Sequence, residues 1–84
     1  MWTDLDPTPA FPASRRGVTT VPLRGGRWRV TREEGEVLGY VDLVAGSGAA
    51  LPRYRSARMR PRHDGFVSLG EFTSAEDALD VVRA

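Results

Sequence analysis

The sequence contains no cysteine and only one histidine. Disulfides and thiolate metal sites are thereby excluded, and a single imidazole falls short of what a zinc site needs. No metal and no organic cofactor is expected. Lysine is missing too, since all twelve basic residues are arginine. Alongside frequent Ala, Gly and Val, this reads as the amino-acid bias of a GC-rich bacterial genome, and taken alone it is no evidence of arginine-based recognition. No apolar run approaches the roughly 20 residues of a membrane span. The opening stretch, MWTDLDPTPA, carries acids where a signal peptide carries positive charge. A cytoplasmic chain without membrane association is the expectation.

Charge is nearly balanced, with a formal net of +1, but it is distributed in blocks. Residues 7–32 hold six Arg and no acid, 33–42 hold four acids, 53–62 hold five Arg, and 64–84 hold five acids against one Arg. Such a balance argues against a large electrostatic footprint on nucleic acid while leaving room for a local one. The 84 residues make at most one domain, near the size where a single core is only just sufficient. Burial against a partner chain would add to it.

The strongest local signal is the last nineteen residues, FVSLGEFTSAEDALDVVRA, a short strand running into a helix. Thr73 and Glu76 have capping-box spacing, with Ser74 as an alternative cap one residue later. Glu76 and Asp77 in the first turn and Arg83 in the last complement the helix dipole. Ala75, Ala78, Leu79 and Val82 fall at i, i+3, i+4 and i+7, one narrow apolar stripe. A helix of roughly ten residues is marginal alone in water, so it must dock.

Strands supply the docking surface. Arg27 to Arg32 alternates, with Trp28 and Val30 on one side. Glu33, Glu34, Gly35 and Glu36 read as a polar hairpin connection. Val37 to Val44 is apolar in both phases, Val37, Val41 and Leu43 against Leu38, Tyr40 and Val44 with Asp42, which implies a sheet covered on both sides. Arg53 to Arg60 is the third strand and Phe66 to Phe72 the fourth, joined by the turn Pro61 to Gly65. The expected fold is therefore α+β: an antiparallel meander of three to four strands with one C-terminal helix packed on one face. Residues 1–26, rich in proline and with the Gly25-Gly26 pair, read as a separate arm before a domain at 27–84. The arm's apolar anchors, Trp2, Phe11, Val18, Val21 and Leu23, leave two alternatives open, a loose tail or an arm packed on the sheet or on a neighbour. A short strand at Val18 to Leu23 is compatible with the second.

Chemistry for catalysis is sparse. His63 and Asp64 are adjacent in a turn, no serine stands in a nucleophile motif, and no nucleophile, base and orienting group occur together. Gly46-Ser47-Gly48 lacks the Lys-Ser/Thr of a phosphate loop, and Glu33, Glu34 and Glu36 lack the spacing of a calcium loop. A non-enzymatic binding module is the expectation. Its candidate nucleic-acid-binding residues are Arg53, Arg55, Arg58, Arg60 and Arg62, with Arg27, Arg29, Tyr40 and Tyr54. Guanidinium groups bridge phosphates, and an exposed tyrosine stacks on an unpaired base. Register decides whether these arginines act together. Strict alternation puts Arg53 and Arg55 on one face and Arg58 and Arg60 on the other, whereas a bulge near Ser56-Ala57 aligns all four outward.

Gly70 through Ala78, GEFTSAEDA, in the order strand, strand, strand, helix, resembles the arm-type DNA-binding module of phage integrases and related AP2-like domains. That resemblance implies a helix backing a three-stranded sheet whose open face lies in the DNA major groove. The skeleton Trp28-Arg29-Val30, Leu38-Gly39-Tyr40-Val41 and Leu69-Gly70-Glu71-Phe72 also resembles short uncharacterised actinobacterial proteins, which imply no function. Two functions stand at this point. One is a DNA-binding module, which requires the arginines unpaired on one face. The other is a protein-interaction or self-associating module in which Tyr40, Leu38 and apolar arm residues bury against another chain.

Overall fold

The structure, a computed structural model, describes residues 8–44, 51–62 and 64–84. Expectations that fall on Trp2, on Gly46-Ser47-Gly48 and on His63 lie outside the described residues. Five strands, β1 (Val18–Leu23), β2 (Arg27–Arg32), β3 (Val37–Val44), β4 (Arg53–Met59) and β5 (Phe66–Phe72), precede one helix, α1 (Ala75–Arg83). They form a single antiparallel meander in the order β1-β2-β3-β4-β5. The sheet thus has five strands rather than three or four. The added one is β1, from the stretch whose prolines and glycines read as an arm. Pro22 is tolerated because β1 is an edge strand. Gly25 and Gly26 take φ of 78° and 76°, which lets the chain reverse into β2.

Helix α1 forms where the stripe predicts, and Ala75, Ala78, Leu79 and Val82 are all buried. Its cap is Ser74 rather than Thr73: the Ser74 hydroxyl accepts from the Asp77 amide at 3.3 Å. The Glu76 carboxyl is held below its ordinary range, first by its own backbone N–H and then by Ser74. Against the stripe lie Trp28, Val30, Leu38 and Val41, with Ser56 the one buried polar side chain among the described residues. The Ser56 hydroxyl donates to the Ala78 carbonyl at 2.8 Å and so joins β4 to the helix inside the core.

Residues 8–16 run beside α1 on the same side of the sheet. Phe11 packs edge-on to Trp28, with centroids 5.0 Å apart, and to Tyr54 at 5.7 Å. The Trp28 indole donates to the Pro9 carbonyl at 2.8 Å, and the Gly26 amide donates to the Thr8 hydroxyl at 3.1 Å. Arg15 pairs with Asp80 of the helix at 2.8 Å. Of the two alternatives for the arm, the packed one is realised for these residues.

Two bulges decide which side chains enter the core. In the β2–β3 ladder Val30 pairs with Gly39 and Thr31 with Val37, so Leu38 is the extra residue. The bulge turns Leu38 into the core, 4 % exposed, and separates it from the Tyr40 face on which simple alternation placed it. Gly39 next to it is obligatory for a packing reason, since a Cβ there would lie 2.1 Å from the Ala57 carbonyl oxygen. In the β4–β5 ladder Ser56 pairs with Gly70 and Ala57 with Ser68, which makes Leu69 the extra residue. The irregularity falls at the expected Ser56-Ala57 position, but the added residue sits in β5, and β4 itself alternates without interruption against β3.

Candidate functional site: the open face of the sheet

Because β4 alternates, its arginines divide. Arg53 and Arg55 share the face away from the helix, while Arg58 lies on the helix side, where its guanidinium donates to the Ala84 carbonyl at the end of α1. Tyr54 also faces the helix side and packs with Phe11 and Trp28. Arg60 and Arg62 follow β4 in the exposed turn toward β5. Of the two registers open to β4, strict alternation is the one realised, because the bulge lies in β5 and leaves the phase of β4 unchanged.

The open face brings together Arg27, Arg29, Tyr40, Arg53 and Arg55, five of the nine proposed residues. Residues paired in an antiparallel ladder point to the same face, so the registers define rows across the sheet. One row reads Leu23, Arg27, Asp42, Arg55, Glu71. Its charges alternate and are paired. Arg27 grips Asp42 through two bonds of 2.6 and 3.2 Å, and Arg55 reaches Glu71 at 3.2 Å, with Arg53 at 3.8 Å from the same carboxylate. Bonding to Asp42 raises the Arg27 pKa above its ordinary value. Opposite charges facing one another across strands stabilise a sheet by tenths of a kcal/mol up to about 1 kcal/mol.

The next row reads Val21, Arg29, Tyr40, Ala57, Ser68. Tyr40 is its centre. Its ring meets Phe66 edge-on at 5.1 Å and carries the Arg27 guanidinium 5.2 Å above it. Phe66 remains 47 % exposed and pairs with Met59 in the following row. Neither α1 nor residues 8–16 reach this side, and Phe66 of the aromatic pair is exposed while the row of ion pairs flanks the pair on one side.

Glu71 and Phe66, which complete this face, were absent from the expected site. Phe66 shares the parity of Ser68 in β5, but Glu71 reaches this face only because Leu69 is bulged, which the sequence shows only once the ladder partners are known. Leu38, placed with Tyr40 in the expected interface, is in the core. At the hairpin Arg32 pairs with Glu36 at 2.8 Å. Among the described residues no three His, Cys, Asp or Glu side chains gather as a metal site, and no helix is long and apolar enough to cross a membrane.

Comparisons with protein-family models, with curated proteins and with solved structures find no match to this chain. The resemblance to integrase-type modules rests on its motifs.

Proposed function

We propose that the chain is a non-enzymatic interaction module that self-associates through the open face of its sheet. The observation that carries this is the row Arg27, Asp42, Arg55, Glu71, whose alternating signs become their own complement when the row is read backwards. A two-fold axis parallel to the strands, midway between β3 and β4, sets Arg27 against Glu71 of a second copy and Asp42 against its Arg55. The same axis sets Tyr40 against Ala57 in the next row, large against small. Two sheets stacked about 10 Å apart and crossed by about 30° would keep this match best at the centre, where Tyr40 lies.

The nucleic-acid alternative needs arginines that are together and unpaired. Arg58 lies on the other side, and Arg27, Arg53 and Arg55 already face carboxylates. Sedimentation equilibrium from about 1 μM to about 1 mM covers weak to moderate association, and a concentration-dependent dimer is expected. A parallel titration with short duplex and single-stranded DNA at low salt distinguishes the two. Monomers that bind DNA in a salt-sensitive way, with Arg55→Ala reducing the affinity, would assign the open face to nucleic acid instead.

A further inference from the structure

The helix is shorter than the sheet it covers. Nine helical residues span about 13 Å, whereas a seven-residue strand such as β4 spans about 23 Å. Helix α1 starts beside the end of β5 and stops near Arg58. Beyond it, between the β2–β3 hairpin and the β4–β5 turn, lies a cleft of about 480 Å³, within the size range of small-molecule sites.

Its walls are built by the two bulges. Leu38 and Leu69, the extra residues of β3 and β5, both line it, together with Val67, which is 46 % exposed. Bulges that re-aim side chains are a recurrent device at binding sites. The polar lining is predominantly cationic. Arg58 uses one of its amino groups on the Ala84 carbonyl, Arg60 has no side-chain partner among the described residues, and Arg32 is already neutralised by Glu36. An apolar floor beneath guanidinium groups with donors to spare suits a ligand with a hydrocarbon body and an anionic head.

We propose that this cleft binds a small apolar carboxylate, its chain against Leu38, Val67 and Leu69 and its carboxylate on Arg60 and Arg58. This site is separate from the open face. Its test is an amide-resolved NMR titration of the full chain with octanoate, and with octylammonium as the control of opposite charge. Octanoate is expected to give saturable shifts at Leu38, Val67 and Leu69, with octylammonium giving none. Arg60→Gln, in an exposed turn where folding is not at stake, is expected to weaken octanoate about tenfold, as loss of a charged hydrogen bond does. The proposal is overturned if octanoate does not saturate, if octylammonium binds equally well, or if Arg60→Gln leaves the affinity unchanged. Shifts confined to Tyr40, Ala57 and Ser68 would also overturn it, since they would place the probe on the open face.

Discussion

The two faces of one sheet are held together by different physics. On the helix side, Trp28, Val30, Leu38 and Val41 are buried under α1 and Phe11, and the polar groups that enter are matched: Ser56 to a helix carbonyl, Trp28 to Pro9. On the open side, polar groups pair with one another across strands, and the aromatic pair Tyr40 and Phe66 lies beside them without a cover from the described residues. Burial without water makes packing errors costly on the first face, whereas solvent screens every pair on the second. Stability should therefore reside on one face and association on the other.

Substitutions can break this contrast, beginning with the largest effect. Gly39→Ala should destabilise the chain by about 3 kcal/mol, because its Cβ meets backbone rather than a yielding side chain. Phe11→Ala should cost about as much, since it empties the space between Trp28 and Tyr54. Chemical denaturation measures both. Ser56→Ala removes the hydrogen bond to the Ala78 carbonyl and should cost about 1 kcal/mol in the same experiment. By contrast, Arg27→Gln on the open face should change stability by well under about 1 kcal/mol.

Acid should loosen the arm through Asp80. The Asp80 carboxyl is held below its ordinary range, first by Arg15 and then by Arg83. A carboxylate whose pKa is lowered by folding contributes stability that is fully present above its unfolded pKa and is lost as pH falls through the lower, folded value. Glu76 is lowered in the same sense. Below the ordinary carboxylate range the Arg15–Asp80 tie is lost, and the Trp28 indole N–H resonance, which reports the bond to Pro9, should shift. Asp80→Asn should show that shifted resonance already at neutral pH. An indole signal in Asp80→Asn that matches the unaltered chain's at neutral pH would contradict this role for Asp80.

How much of this was legible in the sequence varies by element for physical reasons. The helix and the spans of β2, β3 and β5 follow from periodicity that local sequence fully contains, and the stripe from Ala75 to Val82 is buried as its spacing requires. Strand β1 was legible only as a possibility, because Pro22 and the Gly25-Gly26 pair carry the same composition as a linker. The cap shifted from Thr73 to Ser74 because both residues offer the same hydroxyl at adjacent positions. The bulges were the hard part. Leu38 and Leu69 are displaced by their pairing with the neighbouring strand, which the sequence of one strand does not contain, and a displacement of one residue exchanges the faces of everything beyond it. That single effect moved Leu38 from the expected interface to the core, whereas Arg58 lies on the helix side because β4 keeps its alternation. For the same reason Phe66 and Glu71 were not recognised beside Tyr40.

The proposed pairing of two open faces can be sharpened by charge exchange. Arg27→Glu should weaken association, and adding Glu71→Arg should restore part of it, since the two positions oppose each other between copies. Within one copy the exchange sets like charges side by side, a carboxylate next to Asp42 and a guanidinium next to Arg55, so recovery could not come from neighbours on the same sheet.

The most direct measurement is sedimentation equilibrium of the unaltered chain beside Tyr40→Asp and Ala57→Glu, with circular dichroism to verify that all three are folded. The unaltered chain should form a concentration-dependent dimer, and both variants should stay folded monomers. An unaltered chain that stays monomeric at about 1 mM, or variants that dimerise as tightly as it does, would contradict the assignment of association to the open face.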